Sequence, residues 1–522
     1  KTDAIDTARE VDRLLSDEVF KPDSKLAPRT SDATYLRRVW LDTAGDIPSP
    51  EDVTAFVLDP AQDKRERIVE KLLANPQYGQ NWARYWRDVI LSRKLEDRAS
   101  IVANPLVVTL TDKFNENESW AKIATEFITA TGDVRANGET AIELAQDGRT
   151  EETTAEMSRI FMGIQIQCAQ CHDHKTDRWK REQFHEFAAF FPRIAVRPVL
   201  SPVERSFEVV SDDRPDFGRK QSADQQGRRG KPEHYMPDLS NPAAEGTKMQ
   251  PKFFLTSAKV PYGTPDKERR GTVAKLMTQN PWFAKAFVNR IWGELVGEGF
   301  YMPIDDMGPD RTPSAPQTIE LLSQRFAENG YDIKWLFRTI CATDAYQRES
   351  RPRREVDGTA FAANVAQPLR SDQLFNVLLS AVDMPEPEQT LNRRERPADT
   401  KPKYGMNATV RQSFEAAFGY DPSDPRDSVN ASIPQALAMM NGVRVNLAVR
   451  ANDDTMLGKL LKSTPDNSTV TEELYLQTLS REPTDKEREK ALEYCKSVKS
   501  RDAVFEDLLW ALVNSSEFSH RR

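Results

Sequence analysis

Two cysteines and a histidine lie close together at Cys168, Cys171 and His172, in the order Cys-x-x-Cys-His. The whole chain of 522 residues holds only 4 cysteines and 5 histidines, so this grouping asks for a chemical reason. Cysteines at this spacing can form thioethers with the two vinyl groups of a haem, and a histidine directly after the second can bind the iron. We therefore predict one covalently attached haem c, with His172 as the proximal iron ligand.

More potential ligands follow the motif. His185 is the first candidate for the distal iron ligand, and Met157 or Met162 is the next. His174 is expected to form hydrogen bonds locally, to Asp177 or to a haem propionate, or to join a second site. These extra donors also permit a non-haem zinc or iron site, because both metals accept mixed sulfur, nitrogen and oxygen ligands. The ligands of that alternative site would come from the set Cys168, Cys171, His172, His174 and Asp177. A local disulfide or redox pair and a purely structural role are two further interpretations.

Helices are expected on both sides of the motif. Apolar residues recur at helical spacing before it, at Met157, Ile160, Phe161 and Ile164. A second helix after it carries a phenylalanine-rich face and ends before Pro192. A porphyrin needs apolar walls, and this face could supply one.

The rest of the chain is predicted to be mainly α-helical, with many helices in two domains. Cap residues mark several helix ends, as in Ser49-Pro50 and in the capping box of Thr484 and Glu487. Prolines, glycines and short strand-like runs replace the helical pattern between residues 195 and 262, including a polar loop at 212–231. We therefore predict a helical N-terminal domain at 1–194, a small β-containing or irregular insert at 195–262 and a helical C-terminal domain at 263–522.

Composition excludes several functional classes. The chain has 73 basic and 81 acidic side chains, and a formal net charge of −8 argues against a nucleic-acid partner. The mean hydropathy is −0.65, and no run of apolar residues is long enough for a transmembrane segment.

Several other residues of types that can form sites are expected to have ordinary structural roles. Trp82 and Trp86 share a helix face and are predicted to be core rather than a haem wall or a sugar-binding platform. His234 is expected at the surface. A solvated acidic turn is predicted at Asp305, Asp306 and Asp310, and free thiols are predicted at Cys341 and Cys495.

Several motifs together resemble a known pair of families. The N-terminal part contains Leu36-Arg37-Arg38-Val39, Ile47-Pro48-Ser49-Pro50, Asn75-Pro76, Trp82-Ala83-Arg84 and the Cys-x-x-Cys-His motif. The C-terminal part contains Val288-Asn289-Arg290-Ile291-Trp292, Asp305-Asp306-Met307-Gly308, Ala345-Tyr346-Gln347-Arg348 and Pro434-Gln435. In these motifs the chain resembles exported, planctomycete-type proteins that pair two domains of unknown function, often associated with cytochrome c modules. The resemblance implies export and a redox or glycan-related setting.

The leading hypothesis is an exported, monohaem c-type protein that transfers single electrons within a larger assembly. It would lie in the periplasm, at the cell surface or outside a bacterium, with redox proteins such as cytochromes as partners. One alternative is a non-haem metalloenzyme acting on envelope or extracellular polysaccharide. Another is a binding or structural protein that forms homo-oligomers or hetero-oligomers.

Overall fold

Helices make up most of the structure, a computed structural model that describes residues 2–199, 206–213, 230–352, 359–386, 409–424 and 448–522. The α-helices, in chain order, are Ala4–Glu18, Asp32–Ala44, Pro50–Leu58, Lys64–Leu73, Gln77–Leu91, Ala103–Asn115, Trp120–Ile128, Ala141–Ala145, Thr150–Met162, Arg181–Ala188, Asp266–Thr278, Pro281–Val296, Pro316–Glu328, Ile333–Ala342, Asp344–Gln347, Ser371–Ala381, Val410–Phe418, Met456–Ser463, Asn467–Leu479, Asp485–Ser497 and Arg501–Val513. The prediction of a mainly α-helical fold is confirmed. Among the described helices, none combines the length and the apolar character needed to cross a membrane.

The strands are short and form small sheets. An antiparallel sheet orders Gly132–Asp133, Ser206–Ser211 and Ile194–Val199, with Ile194 opposite Ser211. Two-stranded pairs join His234–Met236 to Thr247–Met249, Ser350–Arg351 to Asn364–Val365, and Gln367–Pro368 to His520–Arg521. Strands therefore do occur in the predicted middle insert, while residues 214–229 of its polar loop lie outside the described residues.

Local sequence chemistry explains several helix ends. The Ser49 hydroxyl accepts a hydrogen bond from the Asp52 backbone N–H at 3.1 Å, and Pro50 begins the helix that follows. Thr484 and Glu487 form the predicted capping box, each side chain accepting from the other residue's backbone N–H. These contacts satisfy N–H groups that have no partner within the helix.

The chain divides into two compact units, each assembled from separate stretches of sequence. The first comprises residues 1–21, 82–343 and 421–424, and the second comprises 22–81, 344–420 and 425–522. The three consecutive segments predicted from sequence do not coincide with these units, because each unit draws on both halves of the chain.

The core of the first unit is rich in aromatic residues. Trp86 and Phe287 both pack against Trp120, with ring centroids 4.5 Å apart in each pair. Trp82 contacts Phe337 edge to face at 4.8 Å. Trp82 and Trp86 are each only 2% exposed, so the prediction that they belong to the core is confirmed and neither forms a sugar-binding platform.

The core of the second unit is aliphatic. Its buried cluster is built mainly from leucine and valine side chains, contributed by five of the described helices, among them Leu374, Val377, Leu474 and Leu509. Burial of each such side chain contributes roughly 1.5–3 kcal/mol.

Candidate functional site

The Cys-x-x-Cys-His motif lies in the first unit, in the turn after helix Thr150–Met162. Gly163 ends this helix with a φ of +65°, and a Cβ there would lie 2.6 Å from the Met307 sulfur. Both the backbone conformation and the lack of space therefore favour glycine. The Ser158 hydroxyl then donates to the Ile164 carbonyl at 2.8 Å, which fixes the path of the chain into the motif.

A short 3-10 turn at Gln167–Gln170 carries the first cysteine and leads directly into the second. Ala169, between the cysteines, is fully buried and anchors the turn, whereas Cys168 and Cys171 are exposed and form no disulfide. His172 is exposed as well. Two thiols and an imidazole are thus presented together at the surface on an anchored turn.

The imidazole of His172 is held by a backbone carbonyl. Its Nδ1 lies 2.7 Å from the carbonyl oxygen of Asp173. A carbonyl oxygen can only accept, so Nδ1 must carry the proton and the lone pair of the neutral ring is on Nε2. Metal-binding histidines commonly donate one ring N–H in this way while the other nitrogen binds the metal.

His174 forms the local hydrogen bonds expected for it. Its Nδ1 accepts from the backbone N–H of Asp177 at 3.1 Å and lies 3.6 Å from the Asp177 carboxylate. Its own backbone N–H donates to the Trp179 carbonyl at 2.8 Å. His174 therefore closes the loop that follows the motif.

His185 lies beneath the motif and is 1% exposed. Its Nε2 is 3.0 Å from the carbonyl oxygen of Gln170, and its Nδ1 is 2.9 Å from Nε2 of His234. Because the carbonyl accepts, His185 donates from Nε2 and accepts at Nδ1 from the N–H of His234. Both ring nitrogens are engaged, so in this conformation neither is directed at a metal.

The prediction that His234 lies at the surface is wrong. It is 2% exposed and stacks on His185 with ring centroids 5.1 Å apart. Burial lowers the pKa of His234 to about 3, with a smaller contribution from His185, so both rings are uncharged at neutral pH. Sequence offered little sign of this pair, because His234 stands alone on a short strand 49 residues from its partner.

The phenylalanine-rich face after the motif packs into the protein core. Phe187, on helix Arg181–Ala188, contacts Phe254 at 5.0 Å and Phe253 at 5.8 Å between ring centroids. Trp179 packs on Phe254 from another side. These rings are covered by protein atoms, so they support the motif from below and do not form an open wall for a porphyrin.

The prediction of a solvated acidic turn is wrong for Asp305. Asp305 is 1% exposed and accepts hydrogen bonds from Arg159 at 3.1 Å and Gln165 at 2.8 Å, with Arg290 at 3.5 Å. Burial opposes its ionisation, but Arg290 and Arg159 outweigh that effect and lower its pKa. Asp305 is therefore a buried anion neutralised by arginines.

Two other residues of the acidic turn bind the loop that follows the motif. Asp310 accepts a bidentate pair of hydrogen bonds from Arg178, at 2.7 and 3.0 Å, and Arg178 lowers its pKa to about 2. Arg311 donates to Asp177 at 2.6 Å and contacts Asp306 at 3.3 Å. The turn thus braces the motif loop through ion pairs.

In the described part of the chain, the donors near the motif do not form a preformed metal cluster. Across the residues that the structure describes, no three His, Cys, Asp or Glu side chains are grouped so that they could hold a metal ion. The alternative ligand set of Cys168, Cys171, His172, His174 and Asp177 is therefore not assembled in this conformation.

Comparison with known proteins identifies families but no described activity. The family model PSCyt2, "Protein of unknown function (DUF1549)", matches residues 10–196, and the model PSD1, "Protein of unknown function (DUF1553)", matches residues 269–495. No curated protein and no solved structure gives a significant match. The chain belongs to the proteins that pair an N-terminal DUF1549 domain with a C-terminal DUF1553 domain, in agreement with the resemblance in its motifs.

Proposed function

We propose that the protein is an exported, monohaem c-type protein that transfers single electrons. Cys168 and Cys171 would form the two thioethers, and His172 would bind the iron through Nε2. The observation that carries the proposal is the 2.7 Å contact between His172 Nδ1 and the Asp173 carbonyl, because it leaves Nε2 as the ligating nitrogen.

The two thiols fit this role. Both are exposed and unpaired, as covalent attachment of a large group requires, and the buried Ala169 holds the turn between them. With the phenylalanine rings packed in the core, the haem would bind at the surface rather than in an apolar pocket. Once bound, haem c supplies an iron centre that cycles between the ferric and ferrous states.

The surrounding residues would hold the ligand geometry. Asp173 fixes the His172 ring through its carbonyl, and its carboxylate accepts from the Arg181 N–H at 3.0 Å and from Lys180 at 3.0 Å. His185 holds the Gln170 carbonyl between the two cysteines. Since His185 is committed to this contact, the proposal does not use it as the sixth iron ligand.

The proposed location of the protein follows from the covalent attachment of haem. Thioether attachment is completed on the outer side of the bacterial inner membrane, so we place the protein in the periplasm, at the cell surface or outside the cell. Its partners would be redox proteins such as cytochromes. A zinc or iron metalloenzyme acting on polysaccharide has less support, since the donors for a non-haem ion are not grouped and Trp82 and Trp86 are buried.

The test is to export the chain in bacteria that express the c-type haem attachment machinery. The expected result is a protein that retains haem after denaturation, with a reduced-minus-oxidised spectrum typical of c-type haem. Cys168→Ala and Cys171→Ala should each lower the yield of covalent haem, and His172→Ala should change the spectrum. Cys495→Ala is the matched control, because it removes a thiol outside the motif.

Two results would overturn the proposal. One is wild-type protein without covalent haem in cells that mature a known c-type cytochrome in parallel. The other is one equivalent of zinc without iron in the purified protein, which favours the metalloenzyme.

A further inference from the structure

The second unit contains a polar cavity of about 250 Å³, remote in sequence from the Cys-x-x-Cys-His motif. Four hydroxyl side chains line it, namely Thr30, Ser31, Thr34 and Ser350. Its charged lining consists of Arg37, Arg481, Arg522, Glu349 and Glu517, with His520 beside them. This volume lies just below the usual range for ligand pockets and suits a molecule of about monosaccharide size.

Arg37 is the unusual member of this lining. It is 7% exposed, and the acceptors of its guanidinium in the described part of the chain are neutral oxygens: the Thr478 carbonyl at 3.0 Å, the Ser480 hydroxyl at 3.2 Å and the Phe518 carbonyl at 3.2 Å. Among the described residues, no carboxylate lies within ion-pair distance of it, and Glu517 and Asp46 attract it only from farther away. A buried cation without an anionic partner is costly, and an anion in the adjoining cavity would offset that cost.

Of the two glutamates in the lining, Glu517 already pairs with Arg481. Glu517 accepts from Arg481 at 2.8 Å, and Glu487 accepts from the same guanidinium at 2.9 Å. Arg522 is exposed and donates weakly to the Ser516 hydroxyl at 3.4 Å. Arg481 is thus neutralised by the two glutamates that it binds, so the guanidinium charge open to a ligand is on Arg37 and Arg522. Burial lowers the pKa of His520, so the imidazole adds no charge at neutral pH.

We propose that this cavity binds a small hydroxylated carboxylic acid, of which a hexuronate is representative. A planar carboxylate matches the fork of a guanidinium, and the carboxylates of Glu349 and Glu517 in the same lining disfavour a dianion such as phosphate. The Ser31 and Ser350 hydroxyls already donate within the protein, but the serine and threonine oxygens can still accept from the hydroxyl groups of the ligand. The proposal stands independently of haem binding.

The proposal is tested by calorimetric titration of the protein with glucuronate as the probe. Glucose lacks the carboxylate, acetate lacks the hydroxyl groups and inorganic phosphate carries a different charge. We expect saturable binding of glucuronate, with each of the three other compounds binding at least about tenfold more weakly.

Substitutions of arginines in the lining test whether glucuronate binds in this cavity. Arg37→Met and Arg522→Gln are each expected to weaken glucuronate binding by about tenfold or more. Arg450→Met is the matched control, because its side chain in the same unit is 59% exposed and pairs with Glu506 outside the cavity lining. Thermal unfolding checks that each variant is folded, and Arg522→Gln alone decides if the buried Arg37→Met variant does not fold.

The proposal is overturned if wild-type protein shows no saturable binding of glucuronate. It is also overturned if glucose or phosphate binds as tightly as glucuronate, or if folded Arg37→Met and Arg522→Gln bind it as well as the Arg450→Met control does.

Discussion

Replacing Glu143 with glutamine is expected to reduce the loss of stability that the protein suffers as pH rises. Glu143, in helix Ala141–Ala145, is fully buried, and neither of its carboxylate oxygens has a hydrogen-bond partner. Arg270 lies 3.6 Å away but pairs more closely with Asp266, at 2.7 Å. Desolvation therefore outweighs the attraction of Arg270 and raises the pKa of Glu143 to about 8.

The sign of the pH dependence follows from this shift. An unfolded glutamate ionises near pH 4.5, whereas the folded protein keeps Glu143 protonated up to about pH 8. Between these values the folded state binds one more proton than the unfolded state, so the free energy of unfolding falls as pH rises. The slope is about 1.4 kcal/mol per pH unit, which sets an upper bound of about 5 kcal/mol across the whole interval.

Glutamine has the shape of the protonated acid but does not titrate. Urea denaturation at pH 5, 6, 7 and 8 gives the free energy of unfolding of both proteins. We expect the value for Glu143→Gln, relative to that of the wild type, to increase with each rise in pH. Glu268→Gln is the control, because Glu268 is exposed on the helix that carries Arg270. Parallel pH profiles for the wild type and Glu143→Gln would refute the reasoning.

Three substitutions test other contacts, each by its change in the free energy of urea unfolding. Gly163→Ala should destabilise the protein by about 1–3 kcal/mol, because alanine disfavours a φ of +65° and its Cβ would meet the Met307 sulfur; an unchanged midpoint contradicts this. Asp305→Asn should cost about 3–5 kcal/mol, because it leaves the buried Arg290 without its carboxylate partner although Arg159 keeps Glu156, and a loss below about 1 kcal/mol contradicts this. Ser49→Ala removes a helix cap and should cost about 1 kcal/mol, whereas Ser49→Asp should retain most of the stability.

Features encoded by neighbouring residues could be predicted from the sequence. The caps at Ser49 and Thr484, the burial of Trp82 and Trp86 and the local hydrogen bond of His174 all depend on residues a few positions apart. Periodicity and capping are properties of short stretches of sequence, so they can be recognised without knowledge of the fold.

Features made by distant residues could not be predicted in this way. Asp305 resembles any solvated acid in sequence, since its partner Arg159 lies 146 residues away. His185 and His234 are likewise brought together only by the tertiary fold. The burial of a polar residue depends on which partner reaches it, and a single sequence does not carry that information.

The discontinuous units set an order for folding as the chain emerges from its N-terminal side, whether from a ribosome or from an export channel. Apart from residues 421–424, every stretch of the first unit has emerged once residue 343 is free. The second unit cannot close until its stretch 425–522 joins residues 22–81, which precede nearly all of the first unit. Residues 22–81 therefore lack their partner stretch while the first unit folds, and they are open to misassembly in that interval.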